Sequence, residues 1–421
     1  MPIIIGQLGQ MLITAGDVYI ATLFSTHSVA AIGVAGGIIN PIFLFGIGLM
    51  IGISPSLAFL RGEGVSDKDH LFSIIIYSLV VGVATSIILV VFSDFIDNLG
   101  IEASLIPSIK LYISIVAWSL PFAIVFQGIK EYLQAFEKVF FPNLLSIVAV
   151  IFNLGLNYIL VFGMGPIKGM GEVGLAYASL IIRILLCLCL LVYVLRDYPI
   201  KAFSKKLIQK IFKFSLPIAF MFFLEVLGFC TVSILSGKLG VIEAATNNII
   251  MTIASISFMI PLSLSSAVAV KIGHSYGLRD KEMILDNIKG VLIATLFFIL
   301  CSISFFIVLP FELMNFMSKN QDVVTLGVEL LMIVAIFQLS DGLQVVLSGV
   351  LRGMNNTTLS SVMVLIGYWI IGIPTGYYLT FYAGYGAKGL WMGLAISLIL
   401  VAVSLSIGTY KEFRGLNFEN R

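Results

Sequence analysis

The chain carries the stretch GIGLMIGISPSLAFLRGEG (Gly46–Gly64) and, about half its length later, the matching stretch MIPLSLSSAVAVKIGHSYG (Met259–Gly277). The same offset relates two shorter pairs: Gln127-Gly128 with Asp341-Gly342, and GEVGL (Gly171–Leu175) with GAKGL (Gly386–Leu390). Because the matches keep the same order, they indicate two copies of one unit in the same orientation. The sequence therefore predicts two pseudo-symmetric lobes.

Composition places these lobes in a membrane. Of 421 residues, 59% are hydrophobic and 11% are charged, whereas soluble globular domains carry about 25% charged residues. Twelve apolar segments are long enough to span a bilayer, which takes about 20 residues each. We therefore predict an all-α membrane protein with twelve transmembrane helices in two six-helix lobes, residues 1–197 and 214–421, joined by a cytoplasmic basic linker, residues 198–213.

Charge along the loops predicts the orientation. One set of loops is rich in Lys and Arg, and its densest cluster contains Lys205, Lys206 and Lys210, whereas the opposite set carries scattered lysines. By the positive-inside rule the richer set is cytoplasmic. We therefore expect a multi-pass protein with both termini in the cytoplasm. The basic residues are spread over loops and do not form one face, so we expect no nucleic-acid partner.

Three acidic residues, Asp17, Glu225 and Asp341, lie in the middle of apolar runs. A charged side chain at the bilayer centre costs roughly 2.5–3.5 kcal/mol on insertion scales, so such residues mark functional sites. Asn153 and Asn157 are one helical turn apart on one face and add a polar pair to the first half. The pattern favours ion-coupled transport. Structural interhelical hydrogen bonding is the alternative for the asparagines and the acids.

Further polar and aromatic residues are accessory candidates. Phe337, Gln344 and Ser348 recur at helical spacing on the face that carries Asp341, which is typical of a helix that lines a cavity. Ser179 lies where a hydroxyl would help a site formed by Asp17, Asn153 and Asn157. Arg183 either counters an acid, or reaches towards the membrane surface, or bonds carbonyl groups.

A second charged group stands apart from these candidates. Lys130 and Glu131 lie near the inner end of the fourth span, so we expect them to be interfacial.

Four segments resemble the multidrug and toxic compound extrusion (MATE) family, in particular its NorM-like bacterial branch. They are PxxxxxxLEV (Pro217–Val226), FMIPLSLSSAVAVKIGHSYG (Phe258–Gly277), FQLSDGLQVVLSGVLRG (Phe337–Gly353) and YWIIGIPTGYYL (Tyr368–Leu379). The resemblance covers nearly the whole chain in order.

The resemblance implies site residues in both lobes. Asp17, with Asn153 and Asn157, matches the family's amino-lobe cation or proton site. Glu225 and Asp341 match its carboxy-lobe acids, which are implicated in binding cations and substrates.

Two further positions can be compared with the family. Pro2 matches the proline that bends the first helix. Phe337 stands where close relatives often have Tyr, so the hydroxyl is lost while the π face that attracts cations is kept.

The resemblance also implies the activity. We expect a secondary active multidrug efflux transporter in the bacterial cytoplasmic (inner) membrane, which exports lipophilic organic cations by antiport with H⁺ or Na⁺. Its partners are these small molecules, the coupling cation and the lipid bilayer. We expect a monomer without a cofactor, and without a metal site other than Na⁺ at the acids.

Two other functions are ranked lower. A lipid-linked saccharide flippase of the same superfamily would need basic groups to meet pyrophosphate, whereas the buried acids of this chain favour cations. An integral-membrane enzyme would need a clustered nucleophile, metal ligands or a phosphate-binding loop, and the sequence shows no such cluster. We therefore do not expect an enzyme.

Overall fold

The computed structural model describes residues 2–65, 70–98, 104–198 and 203–416. Within these ranges, twelve helical spans are long and apolar enough to cross a membrane, which confirms the predicted all-α membrane fold. The chain divides into two compact units: Met1–Leu57 with Gly64–Ala219, and Ala58–Glu63 with Phe220–Arg421.

The helices follow one another along the chain with short connections. Those up to the middle of the chain are α1 (Pro2–Phe24), α2 (Thr26–Ile51), α3 (Ile53–Gly62), α4 (Leu71–Ser93), α5 (Ile106–Ala135), α6 (Phe140–Phe162) and α7 (Glu172–Asp197). A short 3₁₀ turn (Ile96–Asn98) follows α4, and a two-residue antiparallel hairpin of β1 (Gly163–Met164) and β2 (Ile167–Lys168) joins α6 to α7.

The second half repeats this order with several differences. Its helices are α8 (Lys205–Leu239), α9 (Val241–Gly277), α10 (Lys281–Val308), α11 (Pro310–Met317), α12 (Gln321–Gly353), α13 (Thr358–Val364), α14 (Ile373–Phe381) and α15 (Ala387–Gly415). The counterpart of α3 is continuous with α9. A π-helical segment, Leu365–Gly372, joins α13 to α14.

The predicted linker, residues 198–213, differs from the structure. Its second part is the start of α8, in which Leu207 and Ile211 are buried while Lys206 and Lys210 are exposed. Four of its residues, 199–202, lie outside the described residues, as do residues 417–421 of the predicted second lobe. The division between the units falls within α8, after Ala219. Charge alone suggested a loop, but an amphipathic pattern continues the helix.

Each unit is built around one central helix. In α5 every residue from Ile124 to Ala135 is buried, and in α12 the same holds from Ser340 to Gly353 except for Leu343. The outer helices instead expose large apolar side chains, such as Ile151, which is 71% exposed. Exposed apolar helix faces around buried central helices are expected for a protein surrounded by lipid.

In the first unit, hydrogen bonds to one carboxylate connect the N-terminal ends of three helices. Glu172, at the start of α7, accepts hydrogen bonds from Ser28 Oγ near the start of α2 (2.8 Å) and from Ser108 Oγ near the start of α5 (2.8 Å). A carboxylate is favoured at a helix N-terminus, where backbone N–H groups are unpaired. This contact fixes α7 and α2 at the same end of α5.

Candidate ion-binding sites

The first site gathers three helices around Asp17 of α1. Asn157 of α6 donates its Nδ2 to Asp17 Oδ1 at 2.6 Å, and Ser179 of α7 donates its hydroxyl to Asp17 Oδ2 at 3.1 Å. Asn157 Nδ2 also lies 3.1 Å from Asn153 Oδ1. All four side chains are buried. The structure therefore brings together the amino-lobe residues that the sequence predicted.

Small residues let α1 approach α6 closely enough for this site to form. A Cβ on Gly6 would lie 1.9 Å from Asn143 Oδ1, and one on Gly9 would lie 3.3 Å from the Ser146 carbonyl oxygen. Close backbone approach through small residues is typical of helix packing in membranes. The glycines thus place Asp17 against the asparagine pair.

The site keeps unused hydrogen-bonding capacity. Within the described residues, Asn157 Oδ1 and Asn153 Nδ2 are buried and have no hydrogen-bond partner. Buried polar atoms of this kind need an explanation, such as a bound water or ion. The carboxylate, amide and hydroxyl oxygens gathered here are hard ligands of the type that suits Na⁺, and the carboxylate can equally hold a proton.

Arg183 lies beside this site on α7. Its Nη1 donates to Ser119 Oγ of α5 at 2.7 Å, and its guanidinium lies 5.2 Å from the centre of the Phe43 ring. It also interacts electrostatically with Asp17. The attraction to Asp17 is in keeping with the reading in which Arg183 counters an acid, which stays a prediction.

The second site lies within the other unit, where Glu225 of α8 faces Asp341 of α12. The two carboxylates are buried and close enough to repel each other electrostatically. Tyr368 Oη lies 3.4 Å from Glu225 Oε1, a long hydrogen bond. Asp341 Oδ1 has no hydrogen-bond partner within the described residues.

Tyr368 is a residue of this site that sequence reasoning missed. It lies in the π-helical segment Leu365–Gly372, and π-helical turns occur frequently at functional sites. The next residue, Trp369, donates its Nε1 to the Leu224 carbonyl at 3.1 Å and so holds the segment against α8. The YWIIGIPTGYYL motif was noticed, but sequence spacing does not reveal the π-helical turn.

Gly228 makes room for the Tyr368 ring. A Cβ at this position would lie 2.8 Å from Tyr368 Cδ1, closer than side chains pack. We expect Gly228→Ala to displace the ring and weaken cation binding, with overpacking costing about 1–3 kcal/mol. The measurement is dye binding and thermal unfolding of the purified variant.

The matched control is Gly237→Ala on the same helix, because nothing lies within 4 Å of a Cβ there. Equal behaviour of the two variants would show that Tyr368 does not depend on this close approach.

Aromatic rings surround the second site. The Phe337 ring lies 6.3 Å from that of Phe229 and 5.4 Å from that of Trp391, both edge-on, and the Phe229 ring lies 5.7 Å from that of Tyr368. Trp391 Nε1 donates to Asn247 Oδ1 at 3.1 Å. Phe337 is thus part of a packed aromatic cluster, in keeping with its proposed accessory place beside Asp341.

Further polar side chains follow Asp341 along α12, towards its C-terminus. Gln344 and Ser348 are both buried, and neither the Gln344 amide atoms nor Ser348 Oγ has a hydrogen-bond partner within the described residues. The same is true of the amide of Gln338, one turn before Asp341. The predicted polar stripe therefore lies inside the second unit, where unpaired groups can meet water or a ligand.

Pro2 is the first described residue of α1. The hinge predicted at this residue stays a prediction. Prolines in helix interiors, which do remove a hydrogen bond, occur at Pro41 of α2, Pro121 of α5, Pro217 of α8 and Pro261 of α9.

Lys130 and Glu131 are buried, with 3% and 4% of their surfaces exposed. The C-terminal part of α5, which carries both residues, is buried throughout. Their expected place near the membrane interface stays a prediction, because burial by neighbouring helices does not give the depth in the membrane.

Comparisons with known proteins agree with this architecture. The family model MatE matches residues 2–159 and 217–378. A probable multidrug resistance protein NorM of Acinetobacter baylyi is 30% identical, with 98% of this chain and 94% of that protein covered. The multidrug resistance protein NorM of Photobacterium profundum is 28% identical, with 97% and 92% covered.

A solved structure shows the same fold. The eukaryotic MATE transporter AtDTX14 aligns with a TM-score of 0.87 at 19% identity, covering 99% of this chain and 96% of that one. The family model covers far more than half of the chain, in both of its halves. The chain therefore belongs to the MatE family of multidrug and toxic compound extrusion proteins, as its sequence motifs predicted.

Proposed function

We propose that this membrane protein is a secondary active efflux transporter, which exports lipophilic organic cations in exchange for H⁺ or Na⁺. The observation that carries the proposal is a buried carboxylate site in each unit: Asp17 with Asn157 and Ser179, and Glu225 with Asp341. The names of its relatives as multidrug resistance proteins support the same conclusion.

Buried carboxylates suit cation exchange for an electrostatic reason. A carboxylate away from water is stabilised by a proton, a metal cation or an organic cation, and these compete for it. The second site adds aromatic rings, including Phe337 and Tyr368, whose faces attract organic cations. Exchange of one cation for another at such a site couples their movements.

The remaining features of the proposal follow from this mechanism. Cation exchange needs no cofactor and makes no chemical change to the exported molecule, so we propose a transporter that is not an enzyme. We further propose a monomer in the cytoplasmic membrane with both termini on the cytoplasmic side, in accord with the basic residues at the start of α8. Met1 and residues 417–421 lie outside the described residues.

Efflux from cells tests the proposal. In a bacterial host that lacks its own efflux pumps, expression of this chain should lower the accumulation of a fluorescent lipophilic cation. An anionic dye of similar size should accumulate as in the empty host, because the buried acids repel it. Unchanged accumulation of the cation, with the protein present in the membrane, would contradict the proposal.

A further inference from the structure

The inner end of α5 carries a second set of buried polar groups, separate from those around Asp17. Gln127, Lys130, Glu131 and Gln134 recur at helical spacing and are all buried. Gln127 donates its Nε2 to Glu131 Oε1 at 2.9 Å, and Gln134 Nε2 lies 3.5 Å from Ser54 Oγ. None of these groups takes part in the contacts of the Asp17 site.

Within this set, the buried ammonium group of Lys130 is the one that most needs an explanation. Within the described residues its Nζ is buried and has no hydrogen-bond partner, although it interacts electrostatically with Glu131. A buried ammonium group that lacks hydrogen bonds is costly. Such a group in a membrane-spanning helix marks an ion or proton pathway more often than a structural contact.

By the internal repeat, the positions of this set are equivalent to those of the second carboxylate site. When Gln127 is laid over Asp341, Lys130 falls on Gln344 and Gln134 falls on Ser348. The central helix of each unit therefore carries buried polar groups on corresponding faces. In the second unit this face holds the carboxylate of Asp341, and in the first unit it holds that of Glu131, about one turn further along.

Other titratable groups near this end of α5 either have hydrogen-bond partners of their own or are exposed. On α4, Tyr77 donates its hydroxyl to the Leu49 carbonyl of α2 at 3.2 Å. After α7, Tyr198 accepts a hydrogen bond from Lys138. Arg196 and Asp197, at the end of α7, are exposed. Among the described residues at this end of α5, Lys130 and Glu131 are a buried Lys–Glu pair.

We propose that Lys130 and Glu131 form a second proton site in the first unit, which is loaded and emptied once in each transport cycle. A hydronium ion gives its proton to the Glu131 carboxylate, so that one O–H bond breaks and another forms, and water leaves. The negative charge of the carboxylate is therefore lost when the site is loaded and restored when it is emptied. The link to a transport cycle rests on the proposed function. The protonation of Glu131 does not depend on it.

Infrared spectroscopy of the purified protein tests the proton directly. As the pH falls, the wild-type protein should gain a protonated-carboxyl band that Glu131→Gln lacks. This variant keeps an acceptor oxygen for the Gln127 amide, so we expect the fold to be retained. The control is Glu329→Gln, whose side chain is 49% exposed and forms an ion pair with Lys388. Identical pH-dependent carboxyl bands in the wild type and Glu131→Gln would overturn the proposal.

Transport provides the second arm. Proton-driven uptake of a cationic dye into proteoliposomes should fall at least about tenfold in Glu131→Gln and in Lys130→Met, since neither variant keeps both members of the proposed proton site. Dye binding in detergent should stay within about twofold, because the dye does not touch this pair. Lys271→Met, an exposed lysine of α9, is the control.

The two arms separate this inference from the proposed function. If the wild type moves no dye, the proposed function fails, while the infrared band still decides where the proton resides. If Lys130→Met does not fold, Glu131→Gln alone decides. Wild-type proton-driven uptake by Glu131→Gln would overturn the inference and leave the proposed function standing.

Discussion

Asp17→Asn should abolish most proton- or sodium-coupled export while leaving the protein folded. The substitution keeps the shape of the side chain and removes the carboxylate to which Asn157 and Ser179 donate. Hydrogen bonds to a charged group are worth about 1.5–3 kcal/mol, so ion affinity should fall about tenfold to hundredfold. The measurements are efflux in cells and thermal unfolding of the purified variant.

The stability of this variant should be close to that of the wild type. Asparagine keeps the size of the side chain and an oxygen that can accept a hydrogen bond from Asn157 or Ser179, so we expect the fold to be retained. Asp97→Asn is the matched control, because Asp97 is 55% exposed and pairs with Lys110 at the surface. Wild-type efflux by a well-expressed Asp17→Asn protein would show that Asp17 is structural.

Glu225→Gln and Asp341→Asn should be strongly non-additive in cation binding. The two carboxylates repel each other within one buried site, so a cation or a proton between them stabilises both. Removing either acid already abolishes cation binding at the shared site. The second substitution should therefore lower the cation affinity little further. For contacting residues we expect an interaction energy of about 0.5–3 kcal/mol.

Calorimetry of Na⁺ and fluorescence binding of a cationic dye to the two single variants and the double variant measure this energy. The control cycle pairs Asp341→Asn with Glu329→Gln, which lies on the same helix but is exposed. That cycle should be additive. Strictly additive losses for Glu225 and Asp341 would show that they do not form one site.

The first site could be read from the sequence because each of its members breaks an apolar run. Asp17 is costly in a membrane wherever it lies, and Asn153 and Asn157 share a face at helical spacing. Their pairing with Ser179 then needs only that α1, α6 and α7 pack together. The structure supplies that packing through glycines of α1.

Other features could not be read in this way, because they depend on tertiary packing. The place of Tyr368 depends on a π-helical segment, and π-helical turns have no sequence period of their own. The burial of Lys130 and Glu131 depends on what covers the inner end of α5. The start of α8 was assigned to the linker because of its many lysines. The buried apolar positions Leu207 and Ile211 between them were not recognised as a helical pattern.

The central claim is that buried acids exchange a coupling cation for an organic cation. The most direct test is uptake of a fluorescent lipophilic cation by purified protein in proteoliposomes, with proton and sodium gradients imposed separately. The account predicts uptake against the dye gradient with at least one of these gradients, and its loss in the Asp17→Asn and Asp341→Asn variants. Dye movement that ignores both gradients, or that survives both substitutions, would contradict it.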